Sequence, residues 1–280
     1  MPLSILVPLL LQVGPGGGLP QAPLQIPRKK SEAVAQSKND VHKAANDPLR
    51  DCLHLVMSSP TDAIAVAEGW RAKAKTAQER AGANQCHALA LTGIGGWAEA
   101  APLFLAARED TPAMQADERA RLAALAGNAS LAVKDPAGAL TALELAREDS
   151  AHASDSKLRS AIEVDRASAL VALNRTGEAA TALADARVAD PTNAEAWLLS
   201  ATLSRRQGDL AAAQVQIEKA AALLPVDPEI GLEAGVIAML LGHEEAARKS
   251  WQSVINAAPG SDEAKTAQGY IDQLGAPAKP

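Results

Sequence analysis

Five short segments of this chain carry one side-chain pattern, and that repetition limits the folds open to it. They are "GGWAEAAPLFLAA" (95–107), "PAGALTALELA" (136–146), "GEAATALADA" (177–186), "GDLAAAQVQIEKA" (208–220) and "GHEEAARKSWQSV" (242–254). In each, a turn precedes a small residue: Ala100, Ala139, Ala179, Ala213 and Ala247. Four places on comes a larger apolar one: Phe104, Leu143, Leu183, Ile217 and Trp251. Three later comes Ala107, Ala146, Ala186, Ala220 or Val254. Steps of four and three put each trio on one face of a helix.

Upstream of every turn lies a second apolar-periodic stretch of helical length. In the last two units it is "AEAWLLSATLSRRQ" and "PEIGLEAGVIAMLL", whose starts, Ala194 and Pro228, are 34 residues apart. Pro191, Pro225 and Pro259 end the second helix of a unit, since proline cannot continue one. Composition agrees: the chain has one Phe, one Tyr and four Trp, and Ala stands in runs where strands favour branched and aromatic residues. The expectation is an all-α protein. A single helix pair cannot bury its apolar faces alone, so the pairs must stack.

The registered positions resemble the tetratricopeptide repeat family. Its pattern is matched by Trp197, Gly208, Ala213, Ile217, Ala220 and Pro225 in one unit, and by Gly235, Gly242, Ala247, Trp251 and Pro259 in the next. Gly127 falls at the family's close-packing glycine, whereas Ser200-Ala201 replaces its Leu-Gly pair, so the copy is divergent. The resemblance implies a right-handed α-solenoid of about 13 helices over 44–275. Units start near Ala44, Ala81, Ala120, Ser160, Ala194 and Pro228, and the stripe Ala264, Ala267, Ile271, Leu274 makes 262–274 a cap. The early units are longer than 34 residues, and the excess falls in "EDTPAMQADER" and "EDSAHASDSKLR", read as loops or extended helix ends.

The resemblance also implies a concave peptide-binding groove along the first helices. Its matching positions are Gln85, Leu89 and Thr92; Ala124, Asn128 and Leu131; Val164, Ser168 and Val171; Leu198, Thr202 and Arg205; Leu232, Val236 and Met239. They read as an apolar groove with a polar strip of Asn128, Ser168 and Thr202, suited to an extended peptide or amphipathic helix. The competing reading is that they face neighbouring helices in a tightly wound array. One variant of the groove is excluded: around Asn128 the family's carboxylate-clamp places hold Ala124, Asp165, Glu195 and Leu199, and two acids there repel a carboxylate.

Chemistry-bearing patterns are thin. The five histidines are scattered, "GHEE" has no second histidine four residues on, and no glycine run leads into Lys then Ser or Thr. The cluster Gly93, Gly95, Gly96 aligns with the other turns and reads as a corner, not a phosphate cradle. Carboxylate pairs sit at turns or on solvated faces. Trp197 and Trp251 are assigned to packing, with Trp97 partly exposed. No catalytic residue, metal ligand or cofactor is expected. The net charge of −6 is dispersed, with no basic block after Arg28-Lys29-Lys30, which argues against nucleic acid. No apolar window spans a membrane.

Residues 1–22 contain the apolar run "MPLSILVPLLLQV" and read as an export signal, although no Lys or Arg precedes it; 23–43 reads as a flexible linker and 276–280 as a tail. An exported, periplasmic location follows from that signal, a cytoplasmic one without it. Cys52 and Cys86 fall on neighbouring first helices by the family register, and bridging them compensates for a first unit with weak repeat signals. The functional expectation is a non-enzymatic scaffold that binds a protein or peptide partner in the groove. The alternative is a structural assembly subunit of a cell-envelope complex, held by its convex face and loops.

Overall fold

The computed structural model describes residues 47–275; the expected export signal, linker and C-terminal tail lie outside them. Thirteen helices fill the described residues: α1 (Pro48–Ser58), α2 (Pro60–Lys73), α3 (Ala77–Gly93), α4 (Trp97–Asp110), α5 (Ala116–Ala132), α6 (Pro136–Ser150), α7 (Ser156–Ala172), α8 (Thr176–Ala189), α9 (Ala194–Arg206), α10 (Leu210–Leu223), α11 (Pro228–Leu240), α12 (Glu244–Ala257) and α13 (Asp262–Leu274). Consecutive helices pack as antiparallel hairpins, and the hairpins stack into an all-α solenoid.

Local chemistry sets the ends of these helices. Asp135, Asp155, Asn193, Asp209, Asp227 and Ser261 each accept a hydrogen bond from a first-turn amide, satisfying donors that the helix leaves free. Thr76 and Glu79 form a reciprocal capping box at α3. The turns inside the hairpins are one motif used five times. Gly95, Lys134, Asn174, Gly208 and Gly242 take a left-handed conformation, with φ between 59° and 83°. The next amide then reaches back to the carbonyl five residues earlier, as Gly96 N–H does to Leu91 and His243 N–H to Ala238. The cluster around Gly95 is thus a helix-ending corner.

The repeated trios form the core. Phe104, Leu143, Leu183, Ile217 and Trp251 are buried, as are the alanines before them and the residue after each. Burying side chains of this size is worth roughly 1.5–3 kcal/mol each. Close approach of α11 and α12 depends on two glycines: a Cβ on Gly231 would overlap Val254, and one on Gly235 would overlap the Trp251 ring, whose Nε1 donates to the Leu232 carbonyl at 3.2 Å.

Helices α3, α5 and α7 start one turn earlier than the repeat register implies, at Ala77, Ala116 and Ser156 rather than near Ala81, Ala120 and Ser160. The polar boundary stretches supply these extra turns, and charge pairs fix them. Asp149 accepts from Arg108 Nε at 2.6 Å and from Arg119 Nε at 3.2 Å, while Arg119 Nη1 also donates to the Arg108 and Thr111 carbonyls. Asp117 holds the next connection through Ser154 Oγ and the Asp155 amide. Not every carboxylate is solvated, therefore: Glu163 is buried beside Arg166, and Asp149 is enclosed by two guanidinium groups. All three partners are cationic, which offsets the cost of withdrawing these carboxylates from water.

At the N-terminal end Cys52 of α1 and Cys86 of α3 form a disulfide, their Cα atoms 6.2 Å apart. Around it pack Ala63, Ala67 and Ala90, with Leu49, Leu55, Val56 and Ile64 at the margin.

Candidate functional site

The two helix layers of the solenoid differ. Odd-numbered helices touch odd-numbered neighbours, as α1 does α3, α5 does α7, α7 does α9, α9 does α11 and α11 does α13. Even-numbered helices make no comparable contact with one another. Layers crowded on one side and spread on the other make a curved stack whose concave face belongs to the odd helices.

All fifteen groove positions named from the sequence lie on α3, α5, α7, α9 and α11, but they do not form one lining. Ala124, Val164, Leu198 and Val236 are buried and belong to the core clusters between helices. For these four the tightly wound alternative describes the packing: small side chains let helices approach until little surface remains. Leu89, Leu131, Val171, Leu232 and Met239 are half-buried, and Asn128 is exposed. The polar strip is partly spent internally, since Ser168 Oγ donates to the Val164 carbonyl; outside the strip, Thr92 Oγ1 donates to the Leu89 carbonyl. Arg205 forks onto Glu233 of α11, at 2.6 Å from Nε and 3.2 Å from Nη2. Gln85 Nε2 donates to Glu118 Oε1 of α5 at 2.9 Å.

Between the starts of α3 and α5 the odd layer opens into a cleft of about 950 Å³, bordered by Trp70, Gln85, Glu118, Arg121 and the exposed Met114.

The more distinctive feature was not among the named groove residues. Asp165 on α7, Glu195 on α9, Glu229 on α11 and Glu263 on α13 follow one another along the odd helices. Burial pushes the Asp165 carboxyl up to about 7, against the pull of Asn128 beside it and with the charge of Glu195 adding to the rise. Glu195 and Glu229 are exposed side chains at helix starts; partial desolvation of their carboxyls raises both, with Asp227, Glu263 and Glu195 adding to the rise at Glu229. These acids are near enough to repel one another, and among the described residues none has a cation within 4.0 Å. Glu233, on the same layer, differs in being neutralised by Arg205. Asp165 and Glu195 had served in the sequence only to exclude a carboxylate clamp; recurrence of an acid at the second place of α9, α11 and α13 was the signal that went unused.

The tryptophans divide. Trp251 is buried as expected. Trp197 is half-buried at the α8–α9 boundary, with the Arg187 guanidinium 4.8 Å from its ring centre and its Nε1 donating to Pro191, so it seals a unit junction more than it fills a core. Among the described residues no three His, Cys, Asp or Glu side chains converge as a metal site, and no helix is long and apolar enough to cross a membrane.

Neither models of known families nor curated proteins match this sequence. Solved structures match its fold. PilW, described as a widely conserved type IV pilus biogenesis factor, is 18% identical, with a TM-score of 0.63 over 80% of this chain and 100% of that one. PilF of Pseudomonas aeruginosa is 15% identical, with a TM-score of 0.62 over 80% of this chain and 96% of its own. YrrB, described as a TPR protein with an unusual peptide-binding site, is 19% identical, with a TM-score of 0.50 over 67% of this chain and 91% of its own. The repeated stripe, the five identical turns and these likenesses together identify the architecture: the chain has the tetratricopeptide-repeat fold.

Proposed function

We propose that this chain is an interaction scaffold that holds a segment of another polypeptide along its odd-numbered helices and carries out no chemistry of its own. The observation that carries this reading is the asymmetry of the layers. The concave side offers a row of half-buried aliphatic side chains, Leu89, Leu131, Val171, Leu232 and Met239, interrupted by exposed or half-buried polar groups at Asn128 and Thr202. An extended segment buries apolar side chains against the former while its backbone bonds to the latter. The buried disulfide supports an oxidising compartment, and with it export of the chain.

Filling the groove tests this. Asn128→Trp combined with Thr202→Trp adds bulk where side chains are not buried, so the fold, checked by circular dichroism, should persist. Capture of the native partner from cell-envelope extract should fall at least tenfold. Undiminished capture removes the groove from the account and leaves the convex face and the connections, the assembly-subunit reading, in its place.

A further inference from the structure

Resting on the groove reading for a partner that is a polypeptide, we infer that the cleft between the starts of α3 and α5 is the anchor of that partner. It takes one uncharged aromatic or large aliphatic side chain of the bound segment, with Trp70 as floor and Met114 as cover.

Three observations lead to this. The first is a gap. Among the described residues, α3 and α5 are the one successive pair of odd helices without the packing contact that the other pairs make, and the Gln85 to Glu118 hydrogen bond spans the space between them. The cleft there, about 950 Å³, falls within the roughly 300–1,000 Å³ of pockets that enclose most of a ligand's surface.

The second is the seating of Trp70. A Cβ on Gly82 would overlap its six-membered ring, so the glycine lets the indole come close against α3. The ring stays half-buried and borders the cleft together with Leu49 of α1. A large, stiff aromatic side chain held in this way is the kind that dominates binding energy. Met114, also at the border, is 91% exposed and so adds little to the fold. Its flexible thioether suits it to folding over whatever enters.

The third is the state of the charges. Four carboxylates border the cleft, and each already accepts from this chain. Asp47 accepts from the Arg50 amide, and Glu79 from the Lys75 and Thr76 amides. Asp117 accepts from Ser154 Oγ and the Asp155 amide, and Glu118 from Gln85 Nε2 and Arg121 Nη1. All four stand at the starts of α1, α3 and α5, where the helix dipole offsets negative charge. Arg121, the one Lys or Arg at the border, is committed to Glu118. A charged side chain entering here gives up water and meets counter-charges that are already paired, whereas an apolar one gains from burial. The exposed amides of Gln78 and Gln115 serve the flanking backbone as donors and acceptors without charge.

Panning a random dodecapeptide phage library against the full chain tests the inference with defined probes. The recovered peptides should share one position enriched at least threefold over the library in Trp, Phe, Tyr, Leu, Ile or Met. In fluorescence anisotropy, a synthetic copy of the commonest peptide should bind at least tenfold more weakly to Trp70→Ala and to the double variant Gln78→Glu, Met114→Glu. Trp70→Phe should stay within threefold of the native chain. Gln78 and Met114 are exposed, so the double variant decides the matter even where Trp70→Ala fails to fold. Val215→Glu with Gln252→Glu, the same change in net charge on even helices, should bind as the native chain does. Peptides that the groove-filling variant loses, but that both cleft variants bind normally, leave the groove standing and overturn the anchor. A shared position that is charged, or an equal loss in the even-helix control, overturns it too. Peptides lost by the cleft variants and kept by the groove-filling variant uphold the anchor and end the longer groove. Peptides that none of these variants weakens, or no selected peptides at all, overturn both.

Discussion

At the C-terminal end of the array, Trp251 of α12 fills a hollow that exists because Gly235 of α11 has no side chain, and the cap reinforces it, with the Tyr270 ring 5.0 Å away. At the N-terminal end nothing larger than cysteine is fully buried in α1 or α2. There, a covalent bond from Cys52 to Cys86 does what a large side chain does elsewhere. In a stack where each unit contacts only its neighbours, an end unit has half the usual interface. The contrast shows two remedies for that shortage: denser packing with a cap, or a cross-link that restricts the unfolded chain.

Breaking each remedy in turn should give losses that stay at their own end. Trp251→Ala leaves a cavity over Gly235 and should cost about 3–5 kcal/mol in urea unfolding, with hydrogen exchange accelerating in α11–α13 and not in α1–α3. Cys52→Ser with Cys86→Ser, or reduction of the native chain, opens a link between residues 34 apart and should cost about 3–4 kcal/mol. Its exchange signature should be confined to α1–α3. Losses spread over the whole chain in either case would mean that the array unfolds as one unit.

Two smaller effects sharpen the account of the region between. The Asp165 carboxyl, raised to about 7 in the folded chain, holds its proton more tightly than an unfolded aspartate. Stability therefore falls as pH rises from about 4 to 7 and stays lower above that. Asp165→Asn removes the penalty. The variant should be more stable than the native chain by on the order of 1–2 kcal/mol at pH 8 and equally stable near pH 4, as thermal melts at both values will show. A group that costs stability while weakening no fold contact is what a binding function would retain. Smaller still is the turn at Lys134, where a side chain occupies a backbone region that disfavours it (φ 60°). Lys134→Gly should stabilise by about 0.5–1 kcal/mol, and Asn174→Gly by less, because asparagine tolerates that region.

Much of this was legible in the sequence because it is written in spacing. Trios such as Ala100, Phe104, Ala107 specify a buried face whatever surrounds them, so the hairpins and their stacking followed. The first turns of α3 and α7 lie ahead of the family register at Ala81 and Ser160, because capping by Thr76 and Asp155 carries each helix a turn further. Left-handed corners at Lys134 and Asn174 lacked the glycine that announces the other three. Groove residues were the least legible: whether Val164 lines a surface or fills a core depends on how tightly α7 meets α8 and α9, which no single helix encodes. Of the acids on the odd helices, Glu195 and Glu229 are the solvated carboxylates the sequence suggests, whereas the partial burial of Asp165 depends on its neighbours and is written in no single helix.

The central claim is that a partner segment lies along the odd helices. Hydrogen exchange of the full chain, free and saturated with the native partner captured from cell-envelope extract, tests it most directly. The account predicts slowed exchange in α7, α9 and α11, with α6, α8 and α10 unchanged. Protection on the even helices, or at the connections alone, would contradict it.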